Sequence, residues 1–179
     1  GVFSFADGGS ATGGPQVAQW WLATHFDQKE NLVRECKYYE SGTGLTSRLS
    51  PMAVIGVAKS AAFEASSSTF PTEKIWSGGG ICPVAIIRDG WTFTSSDTYV
   101  GMKGGHADSN HGHMDAGSFV YDSRGVRWVA DFAELTYTAY ESAVSDFWTM
   151  SQSSKRWDIL QWNNLFHSTL SFENTDGSV

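Results

Sequence analysis

The sequence predicts an α+β fold, with helices first and an antiparallel sheet after them. Three observations carry this. Apolar residues recur at helical spacing through the first 70 residues. After Pro71 the texture changes to short apolar or aromatic runs cut by glycine. Then AGSFVYDSRGVRWVADFA reads as strand, DSRG turn, strand.

Each element has its own signal. In GGPQVAQWWLATHF, Pro15 takes the first helical position after a Gly-rich lead, and Val17, Trp20, Trp21 and Thr24 share a face. The paired tryptophans are read as core residues between helices, with sugar stacking as the second reading. Asp27 and Glu30 make a capping-box-like start for a second helix through Leu32, Val33, Cys36 and Tyr39, which Gly42 and Gly44 end. A third helix is expected from Ser50–Pro51 to about residue 65, fading into the polar SSST. Strands follow in IWSGGGICPVAIIRDGWTF and SSDTYVGMKGG, then the hairpin, then a last strand near 168–172.

Composition narrows the classes of function. At 179 residues the chain is long enough for one well-buried core or two partial ones. No apolar run approaches the length of a membrane span, so a soluble chain is expected. The net charge of −7 argues against nucleic acid or an anionic membrane as partner. Cys36 and Cys82 read as two buried free thiols, a disulfide being the other possibility, and no Cys/His finger spacing is present. The chain begins with neither Met nor a signal pattern and ends just after a strand-like run. It is expected to be processed, or a piece of something longer.

Three of the five histidines, His106, His111 and His113, fall within KGGHADSNHGHMDAGSF. In extended chain, positions i and i+2 point to the same side, so His111 and His113 can serve one site. Asp131 ends the second hairpin strand, and His167 lies on the next expected strand. His113, Asp131 and His167 thus make a three-ligand set suited to Zn²⁺, with a fourth position for water or another side chain. Asp115 stands near enough to be the hydrogen-bond acceptor that a metal-bound imidazole needs. On spacing alone, hydrogen-bonded loop histidines are the favoured reading. His106 reads as a surface residue and His25 as a helix-boundary histidine.

YVGMKGGHADSNHGHMDAGSFVYDSRGVRWVADF resembles the β-domain signature of the heparinase II/III-like polysaccharide lyases, a group that includes oligo-alginate lyases. The similarity continues through LTYTAY, KRWDI and FHSTL, over roughly residues 71–172. It implies that residues 1–70 are the last helices of an (α/α) toroid. Residues 71–179 would be an incomplete antiparallel β-sandwich domain, the chain being truncated at both ends.

The resemblance also implies chemistry. A uronate carboxylate is neutralised, a base removes the C5 proton, and an acid protonates the departing O4. His111 matches the catalytic-site histidine. His113, Asp131 and His167 match the ligands of one structural zinc. Arg156 has the guanidinium that suits a uronate carboxylate, with a solvated surface arginine as the plainer reading. Tyr137 matches a tyrosine near the cleft, with a buried sheet tyrosine as the plainer reading. Trp157 departs from the tyrosine that oligo-alginate lyases tend to carry after that arginine.

The expected function is therefore that of part of a periplasmic or secreted lyase acting on an acidic polysaccharide. The chain by itself is expected to be inactive, because the toroid's catalytic groups lie outside it. Capture of a polyanion would need Arg88, Lys103, Lys155 and Arg156 to converge on one face. The alternative is a non-catalytic carbohydrate-binding or scaffold fragment that uses the same sheet.

Overall fold

The computed structural model describes residues 16–40, 70–91, 96–132 and 137–172. These residues divide into two compact units, one within Thr12–Glu73 and one within Lys74–Val179. The third expected helix, Pro15, Gly42 and Gly44 lie outside the described residues.

In the first unit, α1 (Val17–His25) is followed by a 3-10 turn (Lys29–Leu32) and α2 (Val33–Glu40). Trp20, Ala23 and Leu32 form its buried cluster, with Cys36 packed against it. The expected burial of both tryptophans fails at Trp21, which is 63% exposed. Successive helical residues are about 100° apart, so a stripe centred on Trp20 and Ala23 leaves Trp21 on the flank. There it stacks on His25, the last residue of α1 (4.7 Å between centroids).

The expected capping box is also absent. Asp27 has a left-handed backbone (φ 52°), and Gln28 precedes the 3-10 turn without a side-chain cap. Glu35 is buried and accepts the Gln16 N–H at 2.7 Å. Burial raises its carboxyl above the ordinary value, partly offset by that N–H and by Arg34.

The second unit is built on a five-stranded antiparallel meander in the order β1-β2-β3-β4-β5. The strands are β1 (Ile75–Gly78), β2 (Val84–Arg88), β3 (Tyr99–Lys103), β4 (Phe119–Ser123) and β5 (Val126–Val129). Short helices before β1 and after β5 make the fold α+β. Pairing places Ile86 beside Gly101 and Gly101 beside Val120, which defines one sheet face. Arg88, Tyr99, Lys103 and Val120 on that face are buried, whereas Ile75, Ile87 and Met102 on the other are exposed.

The hairpin forms as its sequence dictates. Arg124 and Gly125 both have positive φ (51° and 76°), the backbone of a two-residue turn whose twist matches that of the strands. A register shift at Tyr121/Asp122 follows, where Asp122 receives Arg127 through Nε (2.6 Å) and Nη2 (2.8 Å). That pair holds the Asp122 carboxyl below its ordinary value.

Beyond the sheet, two expectations give way. The last expected strand, 168–172, is irregular chain. It is preceded by 3-10 turns at Lys155–Asp158, Leu160–Trp162 and Asn164–Phe166. Tyr137 is not a sheet tyrosine but opens helix α3 (Tyr137–Ala143). Its period explains the change: Tyr137, Tyr140 and Val144 all pack on the cluster of Phe147, Trp157 and Trp162. Cys36 and Cys82 are thiols not joined to each other in a disulfide, and Cys36 is half-buried and Cys82 exposed instead of both buried.

Candidate active site

The loop between β3 and β4 carries the histidines, and glycine determines its path. A Cβ on Gly105 (φ 100°) would meet the Ile81 carbonyl oxygen at 2.5 Å. A Cβ on Gly112 would meet the carbonyl oxygens of Ala107 (2.5 Å) and Ser109 (2.7 Å), and the Gly112 N–H donates to Ser109. This tight turn forces His111 into the left-handed region (φ 61°), which costs a non-glycine residue on the order of 1 kcal/mol. The chain then straightens, and His111 and His113 part company.

His111 is exposed and turns outward. Its Nδ1 lies 3.0 Å from the Tyr137 hydroxyl, with the two rings edge to face. Trp148 completes the group, 5.3 Å from His111 and stacked on Tyr137 (5.1 Å, 22° between planes). Asn110, His111, Trp148 and Met150 line an open cleft of about 600 Å³. Trp148 and Met150 were not foreseen. Trp148 follows Phe147, which is 1% exposed, and periodicity alone does not tell an outward ring from an inward one.

His113 turns inward and is buried, with its Nδ1 3.2 Å from His167 Nε2. His167 Nδ1 is in turn 2.7 Å from Asp131 Oδ1. The structure thus brings together the three residues expected to share a metal, but as a chain of contacts. Among the described residues, no three His, Cys, Asp or Glu side chains are arranged as they stand to hold a metal ion. Asp131 grips the His167 nitrogen that faces away from His113, so the donors do not converge on one point.

Two features nevertheless fit a metal. Nitrogen donors at roughly 2.0–2.1 Å on a tetrahedral ion lie about 3.3 Å apart, close to the His113–His167 separation. The carboxylate at His167 Nδ1 fixes the proton there and leaves the lone pair on Nε2.

Other expected partners are engaged elsewhere. Asp115 does not serve His113: it pairs with Lys103, and both are buried. His106 is exposed and contacts Asp108. Arg156 does not face the cleft. It is fully buried, donating through Nη2 to the Gly112 carbonyl (3.0 Å) and through Nη1 to that of Phe147 (3.4 Å). The rings of Phe147 and Trp162 lie 4.8 and 5.1 Å from its guanidinium carbon. A charge in KRWDI suggested a ligand clamp or a solvated side chain, and the fold uses it as the centre of an aromatic core.

Trp157 is buried and donates its indole N–H to Ser151 at 2.8 Å, away from the cleft lining. The cations whose convergence polyanion capture would need are mostly engaged elsewhere. Arg88 sits 3.8 Å from Asp97, Lys103 is paired with Asp115, Arg156 is enclosed, and Lys155 is the exposed member of the four. No known family model matches this chain, and no curated protein matches it.

Proposed function

We propose that this chain contributes the β-side of the active cleft of a polysaccharide lyase that cleaves a uronic-acid-containing polymer by β-elimination. The observation that carries the reading is the His111–Tyr137 hydrogen bond, 3.0 Å long, at an open cleft. An imidazole and a phenol in direct contact form an acid–base pair between which a proton can pass. In the elimination the pair takes the proton from C5. The C5–H electrons form the C4=C5 double bond, the C4–O4 bond breaks, and O4 leaves with a proton returned from the same pair.

The histidine, the tyrosine and the later Asp and His follow the heparinase II/III-like resemblance. The first unit's helices are read, on the same ground, as part of an (α/α) toroid. Periplasmic or secreted location belongs to the same proposal. So does the supply of the carboxylate-neutralising group from residues outside those described.

His113, Asp131 and His167 would hold one zinc in a structural role once Asp131 turns from His167 Nδ1 toward the ion. Bound there, the ion would cross-link the loop, the segment after β5 and the segment after the last 3-10 turn. His111 stays outside this set and faces the sugar.

The competing reading is a carbohydrate-binding or scaffold module without turnover. The enclosure of Arg88, Lys103 and Arg156 favours it, since none offers its charge to an anionic polymer at the cleft. Turnover separates the two. Incubation of the full-length protein that carries these residues with hyaluronan, heparin, heparan and alginate should generate the ultraviolet absorbance of an unsaturated uronate from at least one, and the 179-residue chain alone should not. His111→Ala should depress that rate on the order of 10²–10⁴-fold, the usual contribution of a general acid–base group. Absence of product from every polymer would leave the binding module as the better reading.

A further inference from the structure

We infer that Trp148 is a sugar-stacking platform, the wall that seats a pyranose ring of the substrate against His111. The inference deepens the carbohydrate reading above and rests on it. Trp148 is 44% exposed and lines the cleft together with His111, Asn110 and Met150. An exposed indole on a loop ordinarily pays an entropic cost when it orders on a ligand; this one is already held. Its ring stacks on Tyr137 at 5.1 Å, and its Nε1–H donates to Glu141 Oε1 at 3.0 Å. The rings of Phe147 and His111 pack against it in T-shaped pairs at 5.2 and 5.3 Å.

A pre-ordered aromatic surface beside an imidazole and an amide has a specific chemical preference. The axial C–H groups of a pyranose form an apolar patch that packs on an indole face, while its hydroxyls need donors and acceptors at the rim. Trp148 and Met150 supply the apolar wall, and Asn110 and His111 supply the polar rim. Because Tyr137 touches both Trp148 and His111, a ring seated on the indole is also registered against the acid–base pair.

Isothermal titration of the protein with hyaluronan, alginate and heparin tetrasaccharides tests this, with Trp148→Ala and Trp148→Phe beside the wild type. At least one tetrasaccharide should bind. Trp148→Ala should weaken it on the order of tenfold, the scale of one aromatic contact, and Trp148→Phe should restore most of the affinity. Circular dichroism of Trp148→Ala should show the fold retained, with a modest fall in thermal midpoint, since the indole packs on Tyr137, Phe147 and His111. Equal affinity in wild type and Trp148→Ala would overturn the platform and leave the lyase reading intact. Failure of every tetrasaccharide to bind the wild type would overturn the platform and count against the lyase reading as well. Binding that depends on Trp148, without unsaturated product, would retain the platform and remove the lyase.

Discussion

Arg156 is enclosed by Phe147, Trp148, Trp157 and Trp162, and its guanidinium fastens the Gly112 carbonyl between the two histidines of HGH. Its effect on the cleft therefore passes through the backbone. Arg156→Lys loses the planar fork that reaches two carbonyls at once, and leaves buried acceptors unserved at about 1–3 kcal/mol. We expect a lower thermal midpoint and a fall in kcat together, with KM little changed. A carboxylate-binding arginine would instead raise KM without moving the midpoint. Kinetics and differential scanning calorimetry on the variant distinguish the two. This role was not legible in the sequence, because charge in a polar-looking run carries no sign of burial. That His111 and His113 face different ways was not legible from spacing, which puts i and i+2 on one side; the left-handed backbone of His111 beside Gly112 turns them apart.

Among elements, the β4–β5 hairpin was read directly from its turn residues and flanking strands, whereas α3 and the 3-10 turns were not. LTYTAY mixes β-branched and aromatic residues, and the helical period of Tyr137, Tyr140 and Val144 emerges only through packing on Trp162. The hairpin also carries a pH signature. Asp122 has a folded pKa below its ordinary value because Arg127 hydrogen-bonds and pairs with it. Such a group adds stability that is present above the unfolded carboxylate value and lost as pH falls through the lower folded value. The pair is partly exposed, so its contribution should be at most about 1 kcal/mol. Asp122→Asn should lower the thermal midpoint slightly at neutral pH and match wild type in strong acid. A midpoint difference that persists unchanged into strong acid would mean the pair is not its source.

At the scale of the molecule, the order of helices before sheet was legible because helical and strand periods separate near Pro71. The meeting of His113, Asp131 and His167, distant in sequence, was legible from the hairpin topology and the position of His167 just beyond it, and the resemblance points to the same three residues. The chain-like contact of those side chains was not legible, because spacing fixes which residues meet and not which atoms face each other. The division of HGH between an outward imidazole at the cleft and an inward one in a buried cluster is the central claim. Metal content of protein purified without chelator, compared across wild type, His111→Ala and His113→Ala, tests it most directly. Wild type and His111→Ala should each retain about one zinc per chain, and His113→Ala should lose it along with thermal stability. A wild type without zinc, or a His111→Ala variant that loses it while His113→Ala does not, would contradict the assignment.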